Sequence, residues 1–101
     1  MIDFKFIELE EAKIKINSNE SIVLDIRDKK SFDLEHIDGA LNISNNNIDT
    51  FIENTQKDQS IIVYCYHGNS SQSIAKFLTD KGFFDVYSLN GGYAIWKENK
   101  K

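Results

Sequence analysis

One stretch constrains this chain more than any other. Ile61-Ile62-Val63-Tyr64 is apolar without alternation and runs straight into Cys65-Tyr66-His67-Gly68-Asn69-Ser70-Ser71. A half-buried strand alternates apolar and polar residues, whereas an unbroken apolar run is what a strand covered on both faces of a parallel sheet presents. After the polar loop, Ile74, Phe77 and Leu78 mark the apolar face of a helix, which Ser70 or Asn69 can cap and Lys81-Gly82 can end.

The rest of the chain repeats this alternation. Leu9, Ala12 and Ile16, with the pair Glu11/Lys15, predict a short amphipathic helix entered from a strand around Phe4 to Ile7 and ended by Asn17-Ser18-Asn19. Ile22-Val23-Leu24 is an apolar run of strand length, closed by Asp25, Arg27 and Asp28. A brief strand is expected around Leu41-Asn42-Ile43, then a helix capped within Asn45-Asn46-Asn47 that places Ile48, Phe51 and Ile52 on one face. Val86 to Leu89 reads as a strand, Asn90-Gly91-Gly92 as a turn, and Tyr93, Ile95 and Trp96 as part of a last short helix. Strands alternating with helices predict an α/β fold, an open parallel sheet flanked by helices on both faces. With 101 residues and no repeat or Gly/Ser linker, a single domain spanning residues 1–101 is expected.

Composition removes several functions. One cysteine excludes an intrachain disulfide, a CxxC redox pair and a cysteine-rich zinc site, and two histidines leave little for a metal centre. A formal net charge of −4 and a lone arginine, Arg27, argue against nucleic-acid binding. No apolar run approaches the roughly 18 residues of a membrane span. The opening Met1-Ile2-Asp3-Phe4-Lys5 lacks the basic start and apolar core of a signal peptide, so a cytoplasmic protein is expected.

The cysteine loop carries the chemistry. At the carboxyl end of a parallel strand, successive backbone N–H groups can point into one concavity. A helix starting just beyond adds its unsatisfied N–H groups and the positive end of its dipole. Gly68 permits the positive φ that a tight curl needs, and Asn69 tolerates the same region. Cys65 at the base of such a nest is expected to be a thiolate nucleophile at neutral pH, since thiols at helix N-termini have pKa values of roughly 3.5–7.5 against about 8.5 when free. Between Cys65 and Ala75 there is no Lys, Arg, Asp or Glu, and only His67 can carry charge. A bound anion must therefore be held by amide and hydroxyl dipoles. Cysteine phosphatases and arsenate reductases need an arginine about six positions after the cysteine to clamp a tetrahedral oxyanion, and that position is Ser71. A persulfide, a smaller anionic adduct on sulfur, needs only converging N–H donors.

These residues resemble the single-domain rhodaneses, thiosulfate sulfurtransferases of the small bacterial GlpE type. Leu24-Asp25-Ile26-Arg27 with Phe32, then His36-Ile37-Asp38-Gly39-Ala40-Leu41-Asn42-Ile43, is similar to the family's first signature. Cys65 to Ser71 is similar to its active-site loop, and Leu89-Asn90-Gly91-Gly92-Tyr93 with Trp96 to its second signature. Glu35 departs from the glycine usual before the histidine, and the loop lacks the arginine that follows the cysteine in larger rhodaneses. The resemblance implies a rhodanese-like fold and a ping-pong cycle with no cofactor or metal. Cys65 takes the outer sulfur of thiosulfate as a persulfide and passes it to cyanide in the assay tube or to a thiol such as reduced thioredoxin in the cell. The resemblance also implies that Tyr66, His67, Gly68, Asn69, Ser70 and Ser71 form the substrate- and persulfide-binding loop.

Other readings stand beside this one. The chain could be a sulfur-relay module exchanging persulfide with a partner protein, or a non-catalytic relative with an inert cysteine. His67 either aids thiosulfate binding electrostatically or simply faces solvent or a carbonyl. His36 reads as structural, orienting the segment from Asp25 to Asn42. Arg27 either draws the anion in or forms an ion pair with the neighbouring carboxylates Asp25 and Asp28. Ser70 and Ser71 either cap the helix or donate to the anion, and one hydroxyl does not easily do both. Gly91-Gly92 reads as a turn and Trp96 as a core aromatic.

Overall fold

Successive side chains of a strand point to opposite faces. Ile61 and Val63 therefore enter one apolar cluster while Ile62 and Tyr64 enter another, and all four are fully buried. The computed structural model describes residues 3–99, so the first two and last two residues of the expected 1–101 span lie outside the described ones. Strand β4 (Ser60–Tyr64) lies inside a five-stranded sheet with β1 (Lys5–Ile7), β2 (Ser21–Asp25), β3 (Leu41–Asn42) and β5 (Val86–Leu89). The order is β1-β5-β4-β2-β3, and every pairing is parallel. The register sets Asp25 beside Tyr64 and Val63 beside Ser88.

The helices cover both faces. Ala12 of α1 (Leu9–Asn17), Phe32 of α2 (Lys29–Leu34), and Tyr93 and Trp96 of α5 (Gly92–Glu98) pack with Ile7, Val23, Ile62, Tyr64 and Leu89 on one side. On the other, Ile48 of α3 (Ile48–Glu53), and Ala75 and Leu78 of α4 (Ser70–Asp80), pack with Leu24, Ile61, Val63, Phe83 and Val86.

The chain leaves β2 toward α2 on the first face and leaves β4 toward α4 on the second. Because β2 and β4 are neighbours, their carboxyl ends open a crevice where the connections diverge, the place where open parallel sheets bind ligands.

The structure departs from the sequence pattern at three places. Helix α2 is not announced by any apolar periodicity, because none of its residues is fully buried; Asp28 starts it by accepting the Ser31 amide at 3.0 Å. Asn47 precedes α3 without capping it. Its side chain instead accepts from the Ser44 amide at 2.8 Å and donates to the Asn42 carbonyl at 3.0 Å, tying the loop back to β3. In α4 the buried residues are Ser71, Ala75, Leu78 and Thr79, while Phe77 is exposed at the edge of the face. Small residues at 71 and 75 let the helix lie close to the sheet and bring Ser71 under the cysteine.

Among the described residues no helix is long and apolar enough to cross a membrane.

Candidate active site

Cys65 follows β4 directly, and its side chain is 6% exposed at the floor of a depression of about 230 Å³. Ile26, Arg27 and Asp28, from the end of β2, form one wall; Tyr66, His67, Asn69 and Ser70 form the other. The loop curls as its glycine permits. Gly68 has φ +94°, and a Cβ there would approach the Gly91 nitrogen and the Leu89 carbonyl to 3.0 and 3.1 Å.

The curl aims backbone donors at sulfur. The Gly68 amide lies 3.1 Å from Cys65 Sγ, the Ser71 amide 3.2 Å, and the Ser71 hydroxyl 3.4 Å. The first-turn amide of α4 at Ser71 is one that a capping side chain would ordinarily satisfy. Here sulfur takes that place, and Asn69 at the N-cap position makes no side-chain cap bond. Asn69 has φ −93°, so Gly68 alone supplies the loop's left-handed residue. The two serines differ in position: Ser71 is buried with amide and hydroxyl near the sulfur, while Ser70 is exposed on the rim.

A second helix holds the loop in this orientation. The Tyr93 amide donates to the Cys65 carbonyl at 2.7 Å and the Ala94 amide to the Tyr66 carbonyl at 2.9 Å. In a trans peptide C=O and N–H point in opposite directions. Drawing the Tyr66 carbonyl toward α5 therefore turns the His67 amide toward the sulfur side. This contact requires close approach: Gly92 has φ +58°, and a Cβ there would sit 2.5 Å from the Cys65 carbonyl oxygen. The Gly91-Gly92 pair does more than turn the chain. Gly91 is the N-cap of α5 and Gly92 its first residue.

Burial pushes the Cys65 thiol up, but the Ser71 hydroxyl and the amides of Ser71, Gly68 and His67 outweigh it and hold the pKa below the ordinary thiol value. We expect the rate of Cys65 alkylation by iodoacetamide to have its pH midpoint below the roughly 8.5 of a free thiol; a midpoint at or above that value would contradict the geometry. The linked effect on folding has a definite sign. Between the folded and unfolded pKa values the native state binds fewer protons, so the Cys65 contribution to stability is full above the unfolded value and is lost as pH falls through the folded one.

Beside the depression lies a buried charge cluster. Asp25 is fully buried and accepts from Arg27 Nη2 at 2.7 Å, Arg27 Nε at 3.1 Å, the Arg27 amide at 2.8 Å and the Tyr64 hydroxyl at 2.5 Å. Arg27 Nη2 also donates to the Glu35 carbonyl at 2.6 Å, and the guanidinium carbon lies 4.2 Å from the centre of the Tyr93 ring. Burial and the bond to Asp25 raise the Tyr64 phenol well above its ordinary pKa, so it remains a donor. The ion pair expected of Arg27 is formed, and it uses Asp25 rather than Asp28. Tyr66 is exposed, with its hydroxyl on Ser31 and its ring centre 5.3 Å from the Arg27 guanidinium carbon. His67 is exposed on the rim. His36 is stacked on Phe32 and hydrogen-bonded through Nδ1 to the Phe32 carbonyl at 2.7 Å, within the segment it was expected to orient.

Two residues at the site escape sequence reasoning. Tyr64, which binds Asp25, reads only as an apolar strand residue, and Ser88, whose hydroxyl lies 2.7 Å from that of Ser71, reads as an ordinary member of β5. The one hint for Ser88 is a hydroxyl residue between Tyr87 and Leu89 in a strand otherwise apolar.

The family model described as "Rhodanese-like domain" matches residues 8–99. The thiosulfate sulfurtransferase GlpE of Ectopseudomonas mendocina is 45% identical over 97 residues, which cover 96% of this chain and 88% of that protein. The protein of the same name from Shewanella oneidensis is 42% identical over 98 residues, 97% of each chain. Among solved structures, the human single-domain sulfurtransferase TSTD1 superposes with a TM-score of 0.86 at 16% identity, covering 95% of this chain and 97% of that one, a likeness of fold.

Proposed function

The chain belongs to the rhodanese-like domain family, and from that premise we propose that it is a thiosulfate sulfurtransferase carrying sulfur as a persulfide on Cys65. The observation that carries the assignment of the carrier is the convergence of the Gly68 and Ser71 amides on Cys65 Sγ at the carboxyl edge of the sheet. The Cys65 thiolate attacks the outer sulfur of thiosulfate. The sulfur–sulfur bond of the donor breaks, its electron pair leaves with sulfite, and a negatively charged persulfide remains on the enzyme. An acceptor nucleophile then attacks the terminal sulfur, and Cys65 departs as a thiolate. Cyanide serves as acceptor in vitro, giving thiocyanate; a small thiol or reduced thioredoxin fills that role in a cytoplasmic setting.

Each residue of the loop has work in this cycle. The amides of Gly68 and Ser71 stabilise charge on Cys65 both when it attacks and when it leaves, by the logic of an oxyanion hole. Tyr66, His67, Asn69 and Ser70 shape the mouth through which a small anion enters. With Ser71 where a phosphatase would hold an arginine, the loop offers hydroxyl and amide dipoles instead of a guanidinium fork.

Intact-mass analysis tests the proposal. Incubation with thiosulfate should add one sulfur atom to the protein, and cyanide should remove it. No adduct under excess thiosulfate would overturn the assignment. Slow uptake from thiosulfate with rapid persulfide exchange from a partner protein would favour the relay reading.

A further inference from the structure

Beneath the sulfur, on the side away from the depression, lies a pair of hydroxyls. Ser71 Oγ is 3.4 Å from Cys65 Sγ and 2.7 Å from Ser88 Oγ, and both serines are fully buried. Ser88 stands in β5 between its register partners Phe6 of β1 and Val63 of β4. The three groups form an unbranched chain, sulfur to Ser71 to Ser88, in which each hydroxyl has a single proton to give.

Proton accounting gives the chain two directions. When Cys65 is a thiol, its S–H donates to Ser71 Oγ, and the Ser71 hydroxyl is free to donate to Ser88 Oγ. A thiolate can only accept, so the Ser71 hydroxyl must turn toward it. Ser71 Oγ can then accept from the Ser88 hydroxyl. The reversed chain ends on a charge, and charge-assisted bonds are about twice as strong as neutral ones and polarise the next bond in line. We infer that Ser88 is a positioning residue: its hydroxyl orients the Ser71 proton toward the Cys65 sulfur and thereby favours the thiolate. The inference deepens the sulfurtransferase reading, because a better-stabilised thiolate is also a better leaving group when the acceptor takes the sulfur.

The surrounding groups leave this chain as the adjustable element. Charged or titratable side chains facing the sulfur are Arg27, engaged by Asp25; Asp28, which starts α2; and Tyr66 and His67 on the rim. Beyond the rim, α4 carries no charged side chain until Lys76, which pairs with Asp80 at 2.8 Å on the exposed side. Lys5 of β1 pairs with Asp85 at 3.8 Å, and Tyr93 of α5 lies on the opposite face of the sheet. All of these are unchanged by substitution at Ser88, so a difference between variants cancels them.

The test is the pH profile of Cys65 alkylation by iodoacetamide, which reads the thiolate without any sulfur donor and so stands or falls separately from the sulfurtransferase assignment. Ser71→Ala should raise the midpoint by about one to two pH units, the effect of losing a bond to a charged group. Ser88→Ala should raise it by about half a unit, the share carried through Ser71. In the Ser71→Ala background, Ser88→Ala should then produce no further shift, because its route to the sulfur is gone. An unchanged or lowered midpoint in Ser88→Ala overturns the inference. So does an equal shift in both backgrounds, which would mean that Ser88 acts by packing alone.

Discussion

Cys65→Ser should bind no sulfur from thiosulfate and should turn over at least about a thousandfold more slowly than the native enzyme, the scale on which covalent enzymes lose activity with their nucleophile. The physical reason lies in the pairing of nucleophile and electrophile. A sulfane sulfur is attacked well by a thiolate, whereas a serine hydroxyl is neutral at any pH the fold experiences and makes no stable adduct with sulfur. The variant should nevertheless fold. The amides of Gly68 and Ser71, which now face sulfur at 3.1 and 3.2 Å, would still face an acceptor oxygen, so a near-native unfolding midpoint is expected beside the lost activity. Steady-state thiocyanate formation and intact mass read the first effect, and circular dichroism on denaturation reads the second. Normal turnover by the serine variant would sink the proposed mechanism.

Arg27→Met should destabilise the fold by about 3–5 kcal/mol, because it strands a carboxylate inside the protein. Asp25 is fully buried and depends on Arg27 for three side-chain hydrogen bonds, with only the Tyr64 hydroxyl and one backbone amide left to it afterwards. The loss would be at least about a fifth of the stability of a typical domain. Removing both charges, as Asp25→Asn with Arg27→Met, should cost less than the sum of the single changes, since no unpaired charge then remains buried. Urea denaturation of the two single variants and the double variant closes the cycle. An Arg27→Met protein that unfolds at the native urea concentration would show that the pair does not hold the β2 end. Part of the activity should go with the stability, because Arg27 and Asp28 form the wall facing Cys65.

The two sites differ in how visible they are along the chain. The cysteine unit is local. An apolar strand, a glycine three residues after the cysteine and a helical apolar period lie within a single span, and each signals its own element through backbone sterics and side-chain periodicity. The Asp25 cluster is local only in its Arg27 pair, two residues away; Tyr64 reaches Asp25 across 39 residues, and no feature of either segment names the other. Phe77 shows the limit of periodicity in the same way. It fits the apolar face of α4 by spacing, yet it is exposed, because the helix turns Ser71 and Ala75 toward the sheet. Helix α2 was silent for the opposite reason, since a helix that buries no residue fully leaves no apolar period to read.

The chain by itself determined the α/β alternation, the position of Cys65 at a strand end, the lack of a cationic clamp in its loop, and the resemblance that family membership then bore out. The first three follow from short-range rules; the resemblance rests on motifs matched along the chain. Tertiary structure alone decided that Ser71 would lie at the sulfur and Ser70 on the rim, that α5 would hold the loop carbonyls through the space left at Gly92, that Arg27 would pair with Asp25 and not Asp28, and that Ser88 would stand behind Ser71. Those outcomes depend on which strands become neighbours and in what register. Register is set by the burial of the whole sheet between two layers of helices, and no single segment carries that information.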